Sequence, residues 1–257
     1  MSGSVEIETW IARKRETLSA LGPLATRNLT PSIRDFAHAV TTQRGELAVV
    51  AELARATPEE GPIRGDLEIA ELASAFDEAG VSALAVATDS VVCRGSTADL
   101  QRASASVTVP IVARDLFLRP DQIYQVRLFG ADAVLLTAAA VRPDELGALI
   151  DIASSLHMAA PVEVRTESEL SFALSARARL VVLPAFARDG LSLAIPNQLL
   201  PKVPRSITPI VRGPFGGIED LDPLRGRADA IWIAKPILES QDPQGFLARL
   251  VEAAENG

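Results

Sequence analysis

Residues 109–140 read VPIVARDLFLRPDQIYQVRLFGADAVLLTAAA, and their pattern decides the fold. IVAR (111–114) is a short apolar run rich in β-branched residues, as a buried strand requires. Arg119-Pro120-Asp121 then opens a helix, because proline's fixed φ suits a first turn whose N–H groups have no helical partner anyway. Ile123, Val126, Arg127 and Phe129 follow at roughly helical spacing, Gly130 closes the helix, and Ala133 to Leu136 forms a second buried strand. The result is one βαβ unit. Arg114 and Asp115 stand where its first strand ends, and in an α/β barrel the carboxyl ends of the strands carry the chemistry.

The same unit recurs in both directions. Apolar runs AVVAEL (48–53), ALAVAT (83–88), PIVAR (110–114), DAVLLT (132–137), APVEV (160–164), RLVVLP (179–184), TPIVRG (208–213) and DAIWIA (229–234) alternate with helical patterns. Those patterns cover residues 67–80, 97–104, 120–130, 143–156, 167–176, 197–203, 218–225 and 243–254. Continuous apolar runs of this kind suit parallel strands buried on both faces. A doubly wound open sheet is the rival. It is disfavoured because no GxGxxG phosphate loop follows the first strand and the units are similar in size. The expected fold is therefore α/β, a single (β/α)8 barrel over 47–257 with an N-terminal helical extension over 1–46. In the extension, residues 5–20 pattern as an amphipathic helix, a Pro-containing connector runs to about Pro31, and a short helix covers 33–40.

Composition narrows the function. The 257 residues carry a formal net charge of −8 and a pI near 4.9, which argues against a nucleic-acid surface. The chain shows neither an apolar run of membrane-spanning length nor a secretion signal at its start, so the expected location is the cytoplasm. Cys93 is the single cysteine, and His38 and His157 are the only histidines, so neither a metal site nor a histidine-centred mechanism is expected. Only three of the 25 basic residues are lysines, Lys14, Lys202 and Lys235. Lysine can titrate as a general acid and arginine effectively cannot.

Read at the strand ends, the candidate site collects Glu52 and Arg55 after the first strand, Arg114 after the third, Glu163 and Arg165 after the fifth, Arg212 after the seventh and Lys235 after the eighth. Glu52 and Glu163 are carboxylates written into apolar strands, where burial is costly unless they are paired. Two readings stay open for them: a general acid or base in a pocket, or ion pairs with Arg55, Arg114, Arg165 or Arg212. Gly216-Gly217 before a helical pattern would suit phosphate-binding amides, or merely a turn. Glu59-Glu60 reads most simply as a solvated loop.

These residues resemble the indole-3-glycerol phosphate synthase family of tryptophan biosynthesis. The family's first strand, A-E-I-K-x-A-S-P-S-K-G, is similar to AELARATPEEG (51–61). Its second region, A-L-S-V-L-T-D with a following F-x-G-S-x-x-D-L, is similar to ALAVATDSVVCRGSTADL (83–100). Its third, P-V-L-R-K-D-F-I-I-D-P-Y-Q-I-Y-E-A-R-x-x-G-A-D-A-V-L-L, is similar to PIVARDLFLRPDQIYQVRLFGADAVLL (110–136), and its fifth-strand V-E-V to PVEV (161–164). The resemblance implies a cofactor-independent decarboxylating ring closure, with Glu52 and Glu163 matching the family's two strand glutamates. The cationic positions differ. The first-strand lysine that lies by the substrate carboxylate corresponds to Ala54, and the third-strand lysine that acts as general acid corresponds to Arg114. The sixth-strand I-N-N-R-N is LPAFA (183–187), the seventh-strand S-E-S-G is RGPF (212–215), and the eighth-strand G-E-S is Ala234-Lys235-Pro236. The phosphate-contacting S-K pair corresponds to Glu59-Glu60.

Three functions are weighed on this basis. The first is a family barrel that has lost ring closure and binds a small anionic ligand or a partner protein of aromatic amino-acid metabolism. The second is a diverged lyase on another anionic substrate, using Glu52, Glu163, Arg114 and Arg212, with Arg55, Gly216, Gly217 and Lys235 as ligand contacts. The third is an authentic synthase.

Overall fold

The computed structural model describes residues 6–21, 29–42, 46–188 and 190–256. Most of the connector expected after the first helix lies outside them. Among the described residues, the eight apolar runs form the strands of one parallel barrel: β1 (Ala48–Leu53), β2 (Ala83–Ala87), β3 (Ile111–Arg114), β4 (Ala133–Val134 and Leu136–Thr137), β5 (Val162–Glu163), β6 (Leu180–Pro184), β7 (Thr208–Arg212) and β8 (Ala230–Ile233). Neighbours pair in parallel in chain order, and β8 returns to β1 through Ala48↔Ala230 to Ala51↔Ile233. β4 bridges the seam: Ala133–Val134 pairs with β3 and Leu136–Thr137 with β5.

Helices α1 (Ile7–Leu21), α2 (Phe36–Ala39), α3 (Ile69–Glu78), α4 (Thr97–Ser106), α5 (Pro120–Leu128), α6 (Pro143–Ser155), α7 (Glu167–Ser175), α8 (Ala194–Leu199), α9 (Lys235–Glu239) and α10 (Pro243–Glu255) complete the frame. Local chemistry sets their ends. Ser96 caps α4 by accepting from the Asp99 amide at 3.1 Å, Thr166 caps α7 by accepting from Glu169 at 3.1 Å, and Pro120 and Pro143 open α5 and α6. Gln122 in the opening stretch is buried, and its Oε1 accepts from the Leu118 and Arg119 amides while its Nε2 donates to the Leu116 carbonyl. That fastens the loop carrying the end of β3. Gly130 ends the unit at φ +98°, where a Cβ would lie 2.2 Å from Ser104 Oγ, so glycine is demanded twice over.

Two expected helices differ. The 218–225 pattern forms two 3₁₀ turns, Ile218–Asp220 and Asp222–Leu224, because Pro223 supplies no N–H and its ring obstructs the carbonyl four residues back. The pattern after β6 begins earlier, at Ala194, and finishes as a 3₁₀ turn over Leu200–Lys202, where Pro201 again breaks the ladder. The short α9 was not anticipated. Two small hairpins also decorate the loops, Ala56–Thr57 with Gly61–Pro62 and Phe186–Ala187 with Gly190–Leu191.

The barrel interior is filled mostly by small side chains around one large one: Ala48, Val50, Ala83, Ala85, Val112, Ala133, Val182, Ile210 and Ala230 surround Trp232. Phe36 and Val40, on and just after α2, pack into this cluster from the amino-terminal end of the strands. Buried Asp132 pins that end by accepting from Ser32 Oγ (2.6 Å), the Ile111 amide (2.9 Å) and Arg34 Nε (2.7 Å). At the opposite end Trp10 of α1 joins Ala54, Ala87, Val92, Cys93, Leu116 and Ala140 in a second cluster. The helical extension therefore touches both ends of the barrel. No helix among the described residues is long and apolar enough to cross a membrane.

Candidate functional site

Inward-facing positions at the carboxyl end are where a barrel of this kind places its chemistry. Here Glu52, Arg114, Glu163 and Arg212, from β1, β3, β5 and β7, converge there, and all four are buried, the two arginines at 1 and 2 % exposure. Alternate strands supply one layer of a barrel interior, so this uppermost layer alternates in charge: Glu, Arg, Glu, Arg. Arg114 Nη1 lies 3.0 Å from Glu52 Oε1, and Arg212 Nη2 lies 2.8 Å from Glu163 Oε2. Trp232 Nε1 donates to Glu52 Oε2 at 2.7 Å, and Arg165 reaches Glu163 Oε1 at 3.0 Å.

Glu59 closes the layer from above. Its Oε1 accepts from Arg212 Nη2 (2.7 Å) and Arg165 Nη2 (3.2 Å), and its Oε2 from Arg114 Nη2 (3.0 Å) and Arg212 Nη1 (3.3 Å). Three carboxylates thus face three guanidiniums, and the cage is neutral. Burial opposes ionisation of Glu59, yet Arg212 and Arg114 hold its carboxyl well below the usual carboxylate range. Arg212 and Arg165 likewise hold Glu163 down against its burial. Arg212 also lies over the Phe186 ring, 4.8 Å from its centroid, an arrangement that favours a desolvated cation.

The reading of Glu59-Glu60 as a solvated loop is corrected here: the 56–62 hairpin turns Glu59 into the barrel because three converging guanidiniums outweigh its desolvation. Glu60 comes with it. Thr57 Oγ1 donates to Glu60 Oε2 at 3.3 Å, while Glu60 Oε1 is buried without a hydrogen-bond partner. Burial first, and then the nearby charge of Glu52, push this carboxyl up to about 7.

A carboxyl whose folded pKa lies above its unfolded value of 4.5 loses stability as pH rises between the two. Below that window both states are protonated and nothing is lost. Glu60→Gln is accordingly expected to raise stability by about 2–3 kcal/mol at pH 8 and to change little at pH 4. Thermal unfolding at the two pH values checks this, and an equal shift at both would show that the Glu60 carboxyl is not pushed up.

The remaining expected residues lie elsewhere. Arg55 pairs with Asp99 at 2.8 Å rather than with Glu52 or Glu163. Lys235 opens α9, is about one-third exposed and has Glu239 at 3.8 Å. The Gly216 and Gly217 amides both donate to the Asp220 carboxylate, at 2.7 and 3.3 Å, and the Gly213 amide donates to the Trp232 carbonyl at 3.0 Å. Pro214 and Pro236 have no N–H to offer. The chain's own acceptors thus occupy these amides of the β7 loop. Ala54 is buried in the Trp10 cluster. Cys93 is fully buried, and burial pushes its thiol up, away from the reactive thiolate.

Beside the cage, Lys14 of α1 is buried between two carboxylates. Its Nζ lies 3.2 Å from Asp89 Oδ2 and also contacts Asp115 Oδ1. Asp89 accepts from the Val92 amide, and Asp115 from Thr88 Oγ1 and the Leu116 amide. Burial lowers the Lys14 pKa, but Asp115 and Asp89 more than reverse this and raise it. Burial pushes Asp115 up to about 6. Nothing in the amphipathic pattern of residues 5–20 assigns Lys14 a buried partner, because Asp89 and Asp115 lie far along the chain.

Comparison with known proteins agrees with this barrel. A sequence model of the family "Indole-3-glycerol phosphate synthase" matches residues 5–250. Indole-3-glycerol phosphate synthase of Rhodococcus jostii is 36% identical over 212 residues, covering 80% of this chain and 78% of the relative. That of Mycobacteroides abscessus is 37% identical over 212 residues, covering 80% and 77%. Among solved structures, KGPDC from Streptococcus mutans superposes with a TM-score of 0.65 at 14% identity, covering 81% of this chain and 97% of the other. Thiamine phosphate pyrophosphorylase from Pyrococcus furiosus superposes with a TM-score of 0.60 at 16% identity, covering 82% and 96%. At those identities the two structures speak only to the barrel. A match over nearly the whole barrel, together with relatives above one-third identity, makes this chain a member of the indole-3-glycerol phosphate synthase family.

Proposed function

We propose that this member of the family no longer performs the decarboxylating ring closure and instead binds a small anionic ligand or a partner protein of aromatic amino-acid metabolism. One observation carries the reading. Arg114, at the end of β3 where the resemblance implies a proton-donating lysine, is buried between Glu52 and Glu59. A guanidinium in that setting orients and neutralises charge but does not give up a proton near neutral pH. Loss of a single transition-state donor costs on the order of 100- to 1,000-fold. One further feature supports the reading: Asp220 engages the Gly216 and Gly217 amides.

A second reading, a diverged lyase on another anionic substrate, is favoured by Glu60, whose carboxyl is pushed up to about 7 and has an unpartnered oxygen beside the cage. General acids work best with a pKa near the operating pH.

Purified protein incubated with carboxyphenylamino-deoxyribulose phosphate, read by indole fluorescence, is expected to form product at less than about a thousandth of a usual enzymatic turnover near 10 s⁻¹. Turnover at an ordinary rate would overturn the first reading and make the chain an authentic synthase. Slow product formation that vanishes in Glu60→Gln would favour the second.

A further inference from the structure

We infer that the guanidiniums of Arg114, Arg165 and Arg212 form a carboxylate-binding socket in which Glu59 acts as a tethered competitor for an external organic carboxylate. The inference rests on the ligand-binding reading above and names its ligand class.

The socket has the geometry of a ligand site. Arg212 addresses both oxygens of Glu59 as a fork, at 2.7 and 3.3 Å, while Arg165 adds a second donor to Oε1 and Arg114 a second to Oε2. Four donors in this arrangement fit a planar carboxylate. Arg114 and Arg212 are held rigidly, because both are buried and anchored below by Glu52 and Glu163. Each also keeps a buried Nε without a hydrogen-bond partner. Without Glu59 the cage would carry three guanidiniums against two carboxylates. A buried excess charge of this kind demands an anion.

Glu59 is held by its guanidinium contacts and by a short hairpin whose buried Ala56 donates its amide to the Cys93 carbonyl at 3.2 Å. The hairpin is closed by only two residue pairs, Ala56↔Pro62 and Thr57↔Gly61, with Gly61 at φ +72°. Swinging that hairpin outward breaks no barrel ladder. It also releases Glu60, whose buried Oε1 has no partner and which faces Glu52 from β1 and Glu59 from its own turn, with Arg212 of β7 and Arg114 of β3 opposite. Phe186, over Arg212, is the adjoining apolar surface, so a carboxylate on an apolar or flat body suits the position.

A tethered group competes at an effective concentration in the millimolar range or above. Removing the carboxylate should therefore uncover the site. By isothermal calorimetry, Glu59→Ala is expected to bind benzoate at least tenfold tighter than the wild-type chain. Benzamide should not bind, and tetrahedral inorganic phosphate should bind more weakly than benzoate. In the wild-type chain, high benzoate is expected to speed hydrogen exchange of the Ile63 amide, which donates to the Arg55 carbonyl at 2.9 Å in the closed hairpin. A folded Glu59→Ala protein with no gain in benzoate affinity, or with a preference for phosphate, overturns the inference. If that variant does not fold, wild-type hairpin exchange unmoved by benzoate overturns it. The ring-closure assay is separate: benzoate binding together with ordinary turnover would keep the socket and remove the loss-of-activity reading, whereas no binding and no turnover would do the reverse.

Discussion

Arg212→Ala is expected to destabilise the barrel by about 3–5 kcal/mol, the range found when one partner of a buried ion pair is removed. The size follows from what is left behind. Arg212 contacts both oxygens of Glu59 and one of Glu163, and it is 2% exposed. Without it, two buried carboxylates share Arg165 and Arg114, and neither can reach water without moving the hairpin. The lost contact with Phe186 adds a smaller cost. Because the charges are buried, added salt should rescue little. Urea unfolding would read the loss as a lower midpoint at nearly constant slope. Replacing Arg212, Glu59 and Glu163 together by apolar residues of similar volume should restore much of the stability, since a buried ionic network often contributes little net energy. A loss below about 1 kcal/mol for Arg212→Ala would mean that the cage is solvated.

Lys14→Met is the second large effect, about 3–4 kcal/mol at pH 8. Methionine keeps the unbranched stem and removes the charge. Asp89 and Asp115 then face each other in the cluster roofed by Trp10, with backbone amides, Thr88 and the Trp10 ring left to offset their charge. Their folded pKa values must rise above the ordinary 3.8, and Asp115 already stands near 6 with Lys14 present. Groups with raised carboxyl pKa values cost stability increasingly as pH climbs past 3.8 and add nothing below it. The deficit of Lys14→Met is therefore largest at alkaline pH and shrinks toward pH 4. Thermal unfolding at pH 4, 6 and 8 would show this trend; a deficit independent of pH would assign the loss to packing instead. Trp10 reports the structural side: if α1 is held to the barrel by Lys14, its emission should shift to the red at pH 8, while fully buried Trp232 should not.

The cage and the Lys14 cluster also explain why arginine dominates the basic residues of this site. A guanidinium can satisfy several carboxylate oxygens in fixed directions, as Arg212 does for Glu59 and Glu163. An ammonium is a more compact charge, and Lys14 serves two single oxygens. What is built for rigid charge neutralisation is poorly suited to passing protons.

Much of the architecture was legible residue by residue. The run IVAR, the helix opened by Pro120 and closed by Gly130, and the following AVLL occur where periodicity and turn chemistry put them, since burial period and capping act over a few residues. The weaker patterns failed where proline interrupted them, at Pro201 and Pro223. Glu52 and Glu163 were recognisable as carboxylates needing partners, because any carboxylate in an apolar strand does. Arg114, Arg165 and Arg212, three of the four arginines offered as their partners, do pair with them, whereas Arg55 does not and Glu59 is no solvated loop residue.

By itself the sequence determined the barrel and the family, because local periodicity and residue identity carry both. Tertiary structure alone decided that Glu59 enters the barrel, that Lys14 lies between Asp89 and Asp115, and that Arg55 serves Asp99 instead of the cage. Glu59 and Arg212 are far apart along the chain and meet only when β1 and β7 are curled into one closed sheet. Electrostatic energy depends on distance in space and on exclusion of water, and the order of residues along the chain specifies neither until the barrel has closed.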